Sequence, residues 1–293
     1  MKILFIGNLE FSFKTLLATL EFGGNVVGIC TTKNSVFNSD FCDLSQVAKS
    51  KKIPFLYVKD INTTYNLNWI KRINPDVIFC FGWSRLIKKE LLSIPKLGII
   101  GYHPAPLPLN RGRHPIIWTI ALGLKETAST FFLMDTGADS GDIISKKKIL
   151  IKNSDKARDV YDRITNSAFK QIKYFLPRLE NNSLKKVKQN NALSNFWRKR
   201  TIKDGIIDWR MSSRSIHNLV RALSEPYVGA EFIYKDKNYK VWTTYQLKHK
   251  LLNYEPGKVI EVNNNCPTIK CGEGAIKLIN VKPKIYLQKG EYL

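Results

Sequence analysis

Short apolar runs alternate with amphipathic stretches over the first 103 residues. KILFIG (2–7), 26–30, 55–58, DVIFCFG (76–82) and GIIGYH (98–103) read as strands. Between them, 11–22, 43–52, 65–73 and 84–93 read as helices, the first closed by Gly23-Gly24. Strands that are apolar on both faces and alternate with helices predict a parallel-rich, doubly wound sheet. Ligands of such sheets sit beyond the C-terminal strand ends, where Gly82 and His103 fall.

Further along, 143–151 reads as a strand and 155–179 as a helix. Tyr161, Ile164, Ala168, Ile172 and Phe175 recur on it at core-facing spacing. Residues 180–204 are polar and basic with little periodicity, the pattern of a surface linker. Beyond a helix at 216–223, AEFIY, KVWTT, GKVIEV, PTIKC and AIKLINV are short β-like runs broken by Gly, Pro and Asn. They predict a small β-barrel or sandwich. The expected division is an α/β domain at 1–182, a linker at 183–203 and a β-rich domain at 204–293.

Charge adds a bias toward anionic partners, because 47 Lys and Arg against 24 Asp and Glu give +23. The cations are scattered, and only KKVK (185–188) and WRKR (197–200) cluster. A solvated surface and true anion binding both fit. No run of about 18 apolar residues predicts a membrane span, and the N-terminus reads as a strand, not a signal peptide. Cys30, Cys42, Cys80, Cys266 and Cys271 are odd in number and lack CxxC spacing. They read as structural thiols of a reducing cytoplasm, with no metal site expected. Gly7 is followed by Asn8-Leu9-Glu10, so the dinucleotide fingerprint is missing, and there is no Walker loop.

Candidate chemistry concentrates in GYHPAPLPLNRGRHPIIWTIALGLKETASTFFLMDTGADSGD, residues 101–142. Strand alternation puts Gly101 and His103 on one face and Tyr102 on the other. The prolines after His103 force the chain away and leave the imidazole at a strand end. There it suits either proton transfer or a plain capping hydrogen bond. Glycines 137 and 141 set Asp135, Asp139 and Asp142 on a tight turn, whose carboxylates either orient a histidine or simply favour turning. Arg111 and Arg113 flank Gly112 in a loop suited to phosphate or carboxylate, or to solvent. His114-Pro115 opens a helix.

These segments resemble the formyltetrahydrofolate-dependent formyltransferases, whose pattern runs N-x-H-x-x-L-L-P-x-x-R-G, P-x-x-W, T-G-x-T and D-x-G-D-I. The chain offers GYHPAPLPLNRGRHPIIW, KETASTFF and ADSGDI, and its DGIIDW (204–209), IHNLVRAL (216–223) and EPYVGA (225–230) are similar to the family's second-domain elements. The resemblance implies a Rossmann-like catalytic domain and a small OB-like β-barrel. It also implies transfer of formyl from N10-formyltetrahydrofolate to a primary amine through a tetrahedral intermediate. His103 then looks like the acid/base histidine and Asp139 its carboxylate. Folate would lie against Arg85, Leu86, Ile87, Arg113 and the loop Asp135, Thr136, Gly137, Ala138 and Asp139. An apolar Leu-Ile edge can pack a pterin while loop backbone meets its amide-like edge.

Two positions depart from that pattern. The family's oxyanion-stabilising asparagine is Gly101 here, and losing one such donor typically costs about 10²–10³ in rate. T-G-x-T reads Thr127-Ala128-Ser129-Thr130. As for the acceptor, tRNA-acting relatives usually carry a basic, glycine-rich insertion after the second strand. TTKNSVFNSDFCDLSQVA (31–48) instead has one lysine and two aspartates. That favours the sugar-nucleotide N-formyltransferases, such as the domain acting on UDP-4-amino-4-deoxy-L-arabinose, and precursors of a surface glycan such as lipopolysaccharide O-antigen. Methionyl-tRNA is the second choice of acceptor. A non-catalytic folate- or nucleotide-binding relative is the reading from another class. A homodimer is the state common among the sugar-acting relatives.

Overall fold

The computed structural model describes residues 1–35, 39–247 and 253–293. The chain forms two compact units: Met1–Pro115, Thr127–Ile149 and Asp162–Trp197 in the first, Ile116–Glu126, Leu150–Tyr161 and Arg198–Leu293 in the second.

In the first unit the strands are β1 (Lys2–Ile6), β2 (Asn25–Thr31), β3 (Phe55–Tyr57), β4 (Val77–Cys80), β5 (Ile99–His103), β6 (Arg111–Gly112), β7 (Glu126–Leu133), β8 (Ile143–Leu150) and β9 (Phe196–Trp197). Seven of them make one sheet in the order β3-β2-β1-β4-β5-β7-β8. Pairings from β3 through β5 are parallel, and β7 runs antiparallel to β5. The parallel-rich α/β sheet is therefore as the apolar runs predict. Sequence periodicity leaves β7 unassigned, because ETASTFFL mixes small hydroxyl residues with aromatics. Helices α1 (Glu10–Glu21), α2 (Ser45–Ser50), α3 (Thr64–Ile73) and α4 (Lys89–Leu92) connect the strands. Residues Ile3 to Ile6 of β1 are fully buried, which explains a run with no polar alternation.

The strand order reverses beside β1, and one hydroxyl fills that place. Ser12 Oγ accepts the N–H groups of Asn8 and Leu9, each at 3.1 Å, and donates to the Phe81 carbonyl at 2.6 Å. It ties the ends of β1 and β4 together where dinucleotide-binding sheets seat a pyrophosphate. A Cβ on Gly7 would stand 2.5 Å from that side chain, so the glycine serves close packing there.

Helix α4 is shorter than the 84–93 the pattern predicts. Asn62 explains this, since its Nδ2 donates to the Leu86 carbonyl and its Oδ1 accepts Lys88 N–H, both at 2.9 Å. Arg113 Nη1 donates to the Ser84 carbonyl. Side chains thus claim the backbone groups that a helix would need.

In the second unit lie α5 (Pro115–Ala121), apart from its first residue, the start of α6 (Ala157–Glu180), and α7 (Ser213–Leu223), which Ser212 caps by accepting Ser215 N–H at 3.1 Å. Strands β10 (Ala230–Tyr234), β11 (Lys237–Leu247), β12 (Val259–Asn263), β13 (Cys266–Lys270) and β14 (Ala275–Lys282) form a five-stranded sheet in the order β10-β11-β14-β13-β12. Its pairings are antiparallel, giving the small β-rich unit expected. Among the described residues no helix is long and apolar enough to cross a membrane.

Candidate active site

His103 ends β5 and is 5% exposed. Its Nε2 lies 2.8 Å from the Asn110 carbonyl. A carbonyl only accepts, so Nε2 carries the hydrogen and, in neutral imidazole, Nδ1 keeps its lone pair. Nδ1 faces Asp139 Oδ2 at 3.7 Å. That separation is too long for a hydrogen bond and short enough for strong attraction once Nδ1 is protonated. One ring nitrogen is committed to backbone, and the other looks at a carboxylate.

The turn after His103 is held from below. Thr130 donates to the Ala105 carbonyl at 2.7 Å, Thr127 to Pro104 at 2.9 Å and Lys146 to Leu107 at 3.0 Å. Both outer threonines of Thr127-Ala128-Ser129-Thr130 are therefore loop anchors. Ser129 meets Tyr102 Oη at 2.8 Å on the opposite face of the sheet, where Tyr102 also stacks on Phe11 at 4.2 Å between ring centres. Burial pushes the Tyr102 phenol pKa well above its ordinary value, and the Ser129 bond opposes this only in part. Tyr102 is packing, and it leaves His103 its own face.

Asp139 has φ +54°, and Asn110 has φ +63°. Asp and Asn tolerate this left-handed region best among residues bearing a Cβ. Asp139 Oδ2 accepts Gly112 N–H at 2.9 Å, so one loop, residues 110–112, touches both members of the pair. The rest of the acidic turn is built locally. Asp135 Oδ1 accepts Gly137 N–H at 2.9 Å and Ser140 Oγ at 2.7 Å, leaving Thr136, Gly137 and Ala138 exposed.

Arg111 corrects an expectation. It is 3% exposed and turned inward, not a solvated loop cation. Its Nη2 donates to Gln189 Oε1 at 2.7 Å and Asn191 Oδ1 at 2.8 Å, and the guanidinium lies 5.8 Å from the Phe196 ring centre. The reason lies in the stretch read as a linker. Up to Trp197 that stretch belongs to the first unit, and β9 pairs with β6 in parallel. Gln189 Nε2 donates to the carbonyls of Asp139 at 2.9 Å and Gly141 at 2.7 Å. Asn195 Oδ1 accepts Asn110 N–H at 2.8 Å. Gln189, Asn195 and the Asn110 carbonyl have no motif that periodicity could detect, since each acts through backbone.

Arg85, Leu86 and Ile87 lie on the loop after β4. Ile87 is buried, Leu86 is 70% exposed, and the Arg85 guanidinium stands 5.5 Å from the Trp83 ring centre. Arg113 joins this loop through Ser84. The exposed leucine, two cations and exposed residues 136–138 of the acidic turn fit a flat heterocycle with an amide-like edge. At Gly101, a Cβ would meet Met134 Cγ at 2.8 Å and Phe132 Cζ at 2.9 Å. The cross-strand partner Phe132 thus covers the glycine with its ring, and the nearest atoms to a side chain at 101 are hydrocarbon. Among the described residues no three His, Cys, Asp or Glu side chains gather as a metal site requires.

Known proteins similar to this chain span both of its units. A methionyl-tRNA formyltransferase of Caldanaerobacter subterraneus subsp. tengcongensis is 30% identical over 300 residues, covering 100% of this chain and 96% of its own. WlaRD, a sugar 3N-formyl transferase solved in the presence of dTDP and 5-N-formyl-THF, superposes with a TM-score of 0.72 at 22% identity, covering 97% of this chain and 99% of its own. The N-formyltransferase of Helicobacter canadensis, solved with folinic acid and dTDP-3-aminofucose, gives 0.72 at 22% identity, covering 95% and 98%. At that identity the likeness is one of fold. The Formyl transferase family matches residues 1–174 and its C-terminal domain residues 200–287, so the chain belongs to the formyltransferase family.

Proposed function

We infer that this protein transfers a formyl group from N10-formyltetrahydrofolate to the primary amine of a nucleotide-linked amino sugar. The observation that carries the chemistry is the His103–Asp139 pair, with Nε2 committed to a carbonyl and Nδ1 facing the carboxylate. As the amine attacks the formyl carbon, it must lose a proton, and His103 Nδ1 is the free acceptor. Asp139 then stabilises the imidazolium, as a carboxylate does in other acid–base pairs. The tetrahedral adduct collapses by breaking the bond from that carbon to N10, and the imidazolium returns the proton to the departing nitrogen. Leu86 packs the pterin, while Ile87, expected beside it, instead anchors the loop in the core. The backbone of residues 135–139 meets the polar edge, and Arg85 and Arg113 face anionic groups. Phe132 and Met134 occupy the space where the family's asparagine would project, so at Gly101 the chain supplies no side-chain donor to the developing oxyanion. The formyl oxygen is then met by solvent or by the imidazolium itself.

The acceptor rests on two supports: the fold shared with two sugar N-formyltransferases and a 31–48 segment with one lysine. Residues 36–38 of that segment lie outside the described residues. A second reading, methionyl-tRNA as acceptor, is favoured by the 30% identical relative that spans the chain. The deciding experiment offers formyltetrahydrofolate with a panel of amino-sugar nucleotides and, separately, charged initiator tRNA, following release of tetrahydrofolate. Turnover with a sugar nucleotide is expected. Turnover with tRNA alone overturns the acceptor, and folate binding without turnover of any amine overturns the enzyme reading.

A further inference from the structure

The segment from Gln189 to Trp197 contacts both the acidic turn that carries Asp139 and the 110–112 loop that touches His103. We propose that Gln189 and Asn195 are positioning residues of the formyl-transfer site, Gln189 acting on Asp139 and Asn195 acting on His103 through Asn110. This inference rests on the proposed formyl transfer.

Each link is explicit. Gln189 is buried, and its Nε2 bridges the carbonyls of Asp139 and Gly141, the two residues that bracket the tip of the acidic turn. Its Oε1 is fixed by Arg111 Nη2, so the amide cannot rotate without giving up three hydrogen bonds. That clamp holds Asp139 in its left-handed conformation, an arrangement with little intrinsic preference. Asn195 performs the matching task on the other side. Its Oδ1 takes Asn110 N–H, and its own carbonyl takes Arg111 N–H at 3.0 Å. Asn110 is thereby held with its carbonyl on His103 Nε2, the bond that leaves Nδ1 free. Gly112 fits because its N–H completes the Asp139 contact while the Trp197 carbonyl accepts Arg113 N–H at 3.1 Å. The two arms meet at Arg111.

Donor and acceptor roles make the test specific. Gln189→Glu keeps an acceptor for Arg111, and adds a charge for it, but removes both N–H donors. Because the Arg111 contact survives, its melting temperature should fall less than that of Gln189→Ala, while kcat falls about as far, by roughly 10–100-fold. Asn195→Asp keeps the acceptor for Asn110 N–H and should hold near-native kcat, whereas Asn195→Ala should fall about as Gln189→Ala does. KM for formyltetrahydrofolate should stay within about twofold in the Asn195 variants and rise less than kcat falls in the Gln189 variants, whose side chain also holds the folate-facing turn. Leu193→Ala, on the same segment with its side chain 60% exposed, should match the native chain. Native kcat in Gln189→Glu, equal loss in both Asn195 variants, or loss confined to KM overturns the proposal. An activity-independent arm uses 15N shifts of the imidazoles in the ligand-free protein. The native chain should show His103 as the Nε2–H form, and Asn195→Ala a mixture of forms. An unchanged pattern in that variant overturns the positioning role whatever the acceptor proves to be, and failure of every acceptor with the native chain would instead refute the functional reading.

Discussion

The two loops beside His103 are built on opposite plans. Residues 110–113 are locked from several directions, with Arg111 buried and backbone bonded to Asn195, Trp197 and Asp139. Residues 84–87 hang on Asn62 and Arg113, with Leu86 open to solvent. On the proposed mechanism the locked loop holds groups whose angles decide proton transfer, where a small displacement is costly. The open loop offers apolar edge and backbone, which a planar ligand can complete by its own burial. The proposed function thus puts chemistry on the over-determined side and binding on the under-determined one.

The hardest blow to the locked side is His103→Asn. It removes the proton acceptor while preserving size, and kcat should fall by about 10²–10⁴ with folate affinity nearly unchanged. Near-native turnover would sink the assignment of the base.

Next comes Gly101→Asn. Family resemblance makes it look like a repair, but the ring of Phe132 and Met134 already fill the site. Overpacking of this kind costs about 1–3 kcal/mol, so the variant should melt lower and gain no rate. Pairing it with Phe132→Leu should recover part of the loss, because the smaller side chain relieves the contact without the roughly 3–5 kcal/mol of a full truncation to Ala. A rate gain in the single variant would show that the aromatic cover yields and that a donor was missing.

The strands beneath both loops offer a gentler test. Burial pushes the Cys80 thiol up to about 12 and raises Cys30 further, with the neighbouring Cys80 adding to the effect. A folded pKa above the unfolded value near 8.5 means that the stabilising contribution is complete below about pH 8.5 and is lost as pH rises toward the folded value. Each thiol steepens the alkaline decline by about 1.4 kcal/mol per pH unit. Denaturant midpoints at pH 7 and 10 should therefore fall less in Cys30→Ala/Cys80→Ala than in the native chain. Parallel declines would show that these thiols ionise as readily folded as unfolded.

What the sequence discloses follows the same division. The parallel strands are legible because burial on both faces leaves uninterrupted apolar runs, and His103 because a proline-rich turn follows it. The glycines mark the acidic turn, but only the family resemblance singles out Asp139 from Asp135 and Asp142. Arg111 misleads, since a guanidinium in a loop reads as an anion site until Gln189, 78 positions away, claims it. The segment 189–197 looks like linker because its work is done by amides and backbone, which leave no periodicity. Long-range hydrogen bonding of this sort is written in the fold, and only the residue types it uses appear in the chain.

Leu86 tests the open side alone. Its side chain is 70% exposed, so Leu86→Ala should leave folding within about 0.5 kcal/mol of native. If the pterin packs on it, the variant forfeits part of that contact in ground and transition states alike. About 1 kcal/mol of lost apolar contact corresponds to roughly a fivefold rise in KM for formyltetrahydrofolate with kcat unchanged. A fall in kcat at constant KM would mean that the loop aligns the formyl group as well as holding the ring. The exposed loop would then share the exacting task of residues 110–113, and the contrast between the two sides would fail.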